Sequence, residues 1–169
     1  MNKLILAISI FTAVLLTSEL KAQKFGYVNS QELLLAMPET KKMDTLLSKR
    51  SDEYQLQIQK MYQEYQLKTD DYQKKVASGN MSPLIKEATE KELLSMENNI
   101  KEFQQKAEEE LDKYQSQLIA PIQEKALNAI KTVAKTAGYT YIFDDSSGAL
   151  LYKPDGDNVT ALVKKQLGI

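Results

Sequence analysis

Between Pro38 and Pro121 the chain concentrates its helix breakers in one place, Ala77-Ser-Gly-Asn-Met-Ser-Pro83, and everything around it is charged, Gln-rich and helix-favouring. Lys, Glu, Gln, Leu and Met lose little side-chain freedom in a helix, so a run of this length made from them commits the chain to long helices. One break near the middle predicts two helices joined by a turn, with Ser82 as N-cap and Pro83 at the first position of the returning helix. The expected arm covers residues 39–118 and its tip residues 77–83.

The apolar residues of the arm carry a period. In the first helix Met43, Tyr54, Tyr65 and Val76 are eleven apart, as are Leu47 with Ile58 and Met61 with Tyr72. In the second, Ile85, Met96, Ala107 and Leu118 repeat the spacing, and so do Ile100, Leu111 and Ile122, and Phe103 with Tyr114. Eleven residues in three turns predicts a straight or slightly right-handed pairing in place of the left-handed supercoil of a heptad repeat. If the chain folds back on itself, residues at equal height have numbers with a constant sum, and the two stripes match at 161. Val76 then meets Ile85, Tyr65 meets Met96, Met61 meets Ile100, Ile58 meets Phe103, Tyr54 meets Ala107, Leu47 meets Tyr114 and Met43 meets Leu118. Three positions break the apolar rule, where Arg50 faces Leu111, Lys68 faces Leu93 and Tyr72 faces Thr89. These stripes are the expected seam of an antiparallel hairpin.

A hairpin of this kind has an ordinary reading as a spacer or tether. Against it stand Leu56 and Leu67, eleven apart on the face opposite the seam, with Leu94 level with Leu67 on the outer face of the return helix. Together with Tyr62 and Met81 they are the candidate surface for apolar partners.

The two ends of the chain are expected to form one small body from residues 23–38 and 119–169. Gln23 to Val28 reads as a short strand with Phe25 and Tyr27 on one face, followed by a short helix that Asn29 or Ser30 caps and that Pro38 ends. A helix is expected from Ile122 to Ala137, stopping at Gly138. Tyr139 to Phe143 and Ala149 to Tyr152 flank Asp144-Asp-Ser-Ser-Gly148 in a strand, turn, strand pattern, and a last helix follows a cap at Asp157 or Asn158. A body of about 65 residues is marginal as a single core, so self-association through its sheet is expected.

The chain has no Cys and no His, which excludes thiol nucleophiles, imidazole bases, disulfides and the Cys/His type of zinc site. No phosphate-cradling GxxxxGK[ST] run occurs, so ATP use is unsupported, and no cofactor or metal is expected. Asp144, Asp145, Asp155 and Asp157 fit turn and capping duty better than a calcium loop or an acid–base pair, and Asn158-Val-Thr160 fits a helix cap better than a glycosylation site. No arrangement of residues suggests an enzyme. Residues 1–22, with the apolar run Leu4 to Leu16 and Ala22 at the cut, read as a cleavable signal peptide, which places the mature chain outside the cytoplasm. Without Lys3, Lys21 and Glu19 the 22 basic and 23 acidic residues become 20 and 22, a net charge of −2. Nucleic acid is not an expected partner.

The strand and helix "KFGYVNSQELLLAMP", the charged helical hairpin, and the ending "YTYIFDDSSGALLYKPDGDNVTALVKKQL" together resemble the Skp/OmpH family of periplasmic chaperones over the whole mature chain. The resemblance rests on element order and the two end motifs. It implies an α+β, mostly α fold: a jellyfish-like homotrimer whose end segments form a β body and whose hairpins hang as coiled-coil tentacles around a cavity. It also implies an ATP-independent holdase for unfolded outer-membrane β-barrel proteins. One departure matters, because well-known members are strongly basic while this chain is mildly acidic. Lys74, Lys75, Lys86 and Lys91 near the tip are nearly cancelled by Asp70, Asp71, Glu87 and Glu90. Binding of membrane lipid or lipopolysaccharide is therefore in doubt, and client choice leans on apolar contact. The rival reading is a structural coiled-coil spacer or adaptor of the periplasm with one defined partner.

Overall fold

The computed structural model describes residues 23–169, and the expected signal peptide lies outside the described residues. The element order is β1 (Phe25–Val28), α1 (Ser30–Ala36), α2 (Pro38–Ala77), α3 (Pro83–Ala137), β2 (Tyr141–Asp144), a 3-10 turn (Asp155–Asp157) and α4 (Thr160–Leu167). Two compact units result, one formed by Gln31–Leu127 with Ile169 and the other by Asn128–Gly168 with residues 23–30.

The helical unit is built by the two breakers the chain supplies. Pro38 does not merely end α1. It sits in the first turn of α2, where its missing N–H costs nothing, and the corner is closed by Thr40 Oγ1 donating to the carbonyl of Leu34 at 2.5 Å. The chain then stays helical for 40 residues, roughly 60 Å at 1.5 Å per residue, and leaves the helix only after Ala77. Ser82 Oγ accepts from the N–H of Ile85 at 3.3 Å at the start of α3. Helix α3 runs 55 residues straight through Pro121.

Contacts between the two helices fall in numbering on α3 as they rise on α2, which defines an antiparallel hairpin. Arg50 lies 5.0 Å from the Tyr114 ring, Tyr54 meets Phe103 edge-on with centroids 6.1 Å apart, Lys68 pairs with Glu92 at 2.8 Å, and the Tyr72 hydroxyl donates to Glu90 at 2.5 Å. Glu39 and Lys125 pair at the other end.

The eleven-residue period is kept on α3, where Ile100, Ala107, Ile122, Ala129 and Val133 are buried and Leu111 and Leu118 half-buried. On α2 it is not kept cleanly. The sheltered residues there include Leu47, Ser51, Tyr54, Ile58, Met61, Tyr65, Lys68 and Tyr72, in steps of four and three, the heptad spacing. Ser51, not Arg50, lines the groove beside Leu111, and the guanidinium of Arg50 lies over the Tyr114 ring.

The sheet unit differs from the expected hairpin of strands. β2 pairs with β1, in parallel, with Phe25 opposite Tyr141, Gly26 opposite Ile142, Tyr27 opposite Phe143 and Val28 opposite Asp144. A parallel pair needs a crossover connection, and here everything from α1 to α3 supplies it. Ala149–Tyr152 is no strand: Leu151 is fully exposed and Tyr152 nearly so. The physical reason lies in the turn. Instead of closing a hairpin, Asp144 reaches to α1, where it accepts from the Ser30 N–H at 3.2 Å and from Ser30 Oγ at 2.6 Å, while also holding the Ser146 N–H at 3.0 Å. The cap of α1 therefore comes from across the fold and not from Asn29 or Ser30 alone.

Tyr27 is buried although Phe25 is exposed, because Asn158 bridges to Tyr27 on the other edge of β1 and Val159 donates to the Tyr27 carbonyl at 2.9 Å. The core of this unit is Tyr27, Val28, Ala129, Val133, Val159 and Val163. A Cβ at Gly26 would meet the Tyr139 ring at 2.8 Å and Val159 Cγ1 at 3.2 Å, so the close packing there requires glycine. Gly138 ends α3 with φ +70, and Asn158 Oδ1 accepts from the Thr160 N–H at 2.9 Å at the start of α4.

Candidate interaction surfaces

Surface, not cavity, is what the helical unit offers. Of the five residues expected to touch apolar partners, Leu56, Tyr62, Leu67 and Leu94 are exposed, Leu67 at 71%, whereas Met81 is half-buried in the turn. Leu56 and Leu67 stand about 16 Å apart along α2. The Lys68–Glu92 pair puts Leu67 and Leu94 at a similar height on their two helices. Many charges of the distal arm are paired on their own helix, among them Lys75 with Asp71, Lys91 with Glu87 and Lys101 with Glu97, all at 2.6 Å. The apolar side chains are thus separate points in a neutralised polar surface.

The residues expected at the seam divide by position. Met43, Ile100 and Ala107 are buried; Leu47, Tyr54, Ile58, Met61, Tyr65, Met96, Phe103, Tyr114 and Leu118 are half-buried; Val76 and Ile85 are exposed. Leu84, beside Ile85, is 77% exposed. No periodic signal marks Leu84, because it follows the turn directly. Between the helices run shallow hollows, one of about 110 Å³ among Met61, Met96 and Ile100. Another, about 510 Å³, opens where small Ser51 and Ala107 leave space beside Tyr54, Ile58 and Leu111. A third, about 390 Å³, lies among Met43, Leu46, Leu118 and Ile122. At its mouth Lys125 donates to Glu39 and holds that carboxyl below the usual carboxylate range.

The sheet unit presents a second surface. Phe25, Tyr141 and Phe143 stack on one face of the two strands, with centroids 5.8 to 6.4 Å apart, and all three are about half exposed. The outer edge of β2 carries no strand partner among the described residues. The alternation of Tyr141 and Phe143 puts both on one face, but their alignment with Phe25 depends on a parallel pairing that alternation alone does not specify. Asp145, beside them, is buried and paired with Lys153, whose ammonium also lies over the Tyr27 ring. Burial pushes the Asp144 carboxyl up, yet the hydrogen bonds from Ser30 and Ser146 outweigh it and hold the group below its ordinary value. These aspartates serve structure.

Among the described residues no group of His, Cys, Asp or Glu is arranged to hold a metal, and no helix is long and apolar enough to cross a membrane.

Comparison with known proteins agrees with this architecture. A family model described as outer membrane protein (OmpH-like) matches residues 24–167. A crystal structure from Caulobacter crescentus, of a protein assigned as an outer membrane chaperone (OmpH-like), superposes with a TM-score of 0.75 at 12% identity, covering 86% of this chain and 83% of that one. At that identity the likeness is one of fold. No curated protein matches the chain in sequence.

Proposed function

Since the chain belongs to the OmpH-like family of outer membrane proteins, a family of chaperones and not of enzymes, we propose that it is an ATP-independent periplasmic holdase for unfolded outer-membrane β-barrel proteins. The observation that carries this reading is the helical hairpin itself, whose paired helices leave Leu56, Leu67 and Leu94 exposed among neutralised charges. Holding an unfolded chain requires many weak, exchangeable contacts, and isolated leucines and tyrosines on a polar scaffold supply them without creating one aggregation-prone patch.

The stripes from Met43 to Tyr65 and from Met96 to Leu118 serve as the hairpin seam, with Val76 and Ile85 exposed beyond its end, and Leu56, Tyr62, Leu67, Met81 and Leu94 serve as client contacts. Self-association to a homotrimer uses the sheet unit, supported by the exposed Phe25, Tyr141 and Phe143 and by the unpaired edge of β2. With the tip lysines Lys75 and Lys91 already paired, apolar contact and not long-range attraction selects clients.

The test is light scattering while a barrel protein is diluted out of urea into residues 23–169 without ATP. Suppression at a few subunits per client supports the holdase. A folded protein that suppresses nothing moves the weight to a periplasmic spacer or adaptor.

A further inference from the structure

Along the hairpin the lining of the helix–helix interface changes character. From Met43 to Tyr65 on α2, and from Met96 to Leu118 on α3, the stripe residues are apolar and sheltered, with Ile100 at 3% and Ala107 at 7% exposure. Beyond Tyr65 the recorded cross-helix contacts are polar. Lys68 meets Glu92 with side chains 38% and 52% exposed, and Tyr72 donates to Glu90. Past them Val76 and Ile85, at 40% and 56% exposure, no longer shelter each other. Ion pairs that water reaches add little to holding helices together, and two helices without a shared apolar face depend on their own marginal propensity.

We propose that the distal segment, from Lys68 through the turn to Glu92, opens as a local unit while the rest of the hairpin stays zipped, and that the opened segment is the surface that receives an unfolded polypeptide with alternating apolar residues. Opening frees half-buried Leu93 and Tyr72 and uncovers the rest of Val76 and Ile85, and adds them to Leu67, Leu84 and Leu94, which are the more exposed already. Opening also parts Lys68 from Glu92 and Tyr72 from Glu90, one group of each sign in the first pair, while the neighbouring Lys75 and Lys91 keep their partners one turn away on their own helices, so the opened segment gains apolar surface without a net charge. An apolar-patterned chain fits such a surface; a polyanion does not. The receiving role rests on the holdase reading, whereas the opening itself does not. Regions that open locally are those with few buried apolar contacts, and here that deficit begins at one position and continues to the tip.

Hydrogen exchange followed by mass spectrometry on residues 23–169 tests the opening. Amides between 68 and 92 are expected to exchange at least tenfold faster than those of 47–65 and 96–114. Lys68→Leu with Glu92→Leu, which carries the apolar lining outward, is expected to slow the distal amides about tenfold and to weaken suppression of scattering by an unfolded barrel protein at least threefold. Tyr72→Phe, which removes the hydrogen bond to Glu90, is expected to speed distal exchange severalfold and leave 47–65 unchanged. Uniform exchange along the hairpin overturns the opening. A zipped variant that holds the barrel protein as well as the wild type overturns the receiving surface. A wild type that shows the exchange gradient but suppresses no scattering supports the opening and overturns the holdase reading together with the receiving role.

Discussion

The helical hairpin is held by residues that recur along the chain, whereas the sheet unit is held by residues that the chain keeps far apart. In the hairpin a side chain finds its partner by period and by distance from the turn, as Lys68 does with Glu92 and Tyr72 with Glu90, although Tyr54 meets Phe103 where the fold-back sum gave it Ala107. In the sheet unit Lys24 bonds Thr140 across 116 positions, Ser30 bonds Asp144 across 114, and Asn29 bonds Thr160 across 131. The first kind of order tolerates a local fault, because each layer repeats the one before. The second has no repeat, so a fault at one residue reaches every strand and helix of the unit.

This contrast is open to breakage at its strongest point. Val163 is fully buried in the sheet unit, and Val163→Asp is expected to abolish that unit's cooperative fold, since an unpaired buried charge costs several kcal/mol. Loss of tyrosine near-ultraviolet dichroism with most helical signal retained is the expected result, and concerted loss of both would show that the hairpin is not independent in its order. Next in size, Ile100→Ala at 3% exposure is expected to cost about 2–4 kcal/mol by urea titration, against less than about 0.5 for Leu94→Ala on the outer face. Equal costs would discredit the inner and outer assignment.

Gly26→Ala forces a Cβ to 2.8 Å from the Tyr139 ring and is expected to cost about 1–3 kcal/mol, a larger penalty than any Gly→Ala change at the open turn position 156. Leu56→Glu with Leu67→Glu is expected to leave helicity and melting nearly unchanged while weakening client holding severalfold; full holding would remove these leucines from the proposed surface.

The smallest effect is electrostatic. The Asp144 carboxyl is depressed below its ordinary 3.8 in the fold, so its contribution is complete above that value and is lost as pH falls through the lower folded one. Without histidine, the melting temperature is expected to stay level from pH 5 to 8 and to fall below about pH 4, with Asp144→Asn removing part of that fall.

What the sequence made legible follows the same division. Helix extent and the antiparallel return could be read because Pro38, Gly79 and Pro83 punctuate an otherwise uninterrupted helical composition, and because fold-back imposes one arithmetic on every layer. The lapse of the period on α2 was not legible, since a polar residue such as Ser51 or Lys68 carries no apolar mark that places it at the seam. Nor was the exposure of Val76 and Ile85, as a stripe records which residues are apolar and not how closely two helices approach.

In the sheet unit each piece was visible as a strand or helix, but its partner was not. Asp144 reads locally as a turn residue, and only the fold shows that it spends its oxygens on Ser30 and so leaves Leu151 and Tyr152 without a strand to join. Phe25, Tyr141 and Phe143 become one surface only through that same parallel register.

The parallel register has a consequence in time. β1 lies near the start of the chain and cannot pair until residue 141 has been delivered, while the hairpin needs only its own neighbours. Closing so long a loop is slow compared with zipping local contacts, so the arms assemble first and the sheet last. A chain interrupted anywhere before Tyr141 would carry helices yet never complete its strands. Pairing of the two strands thereby marks a chain whose helices have all been made as far as Ala137.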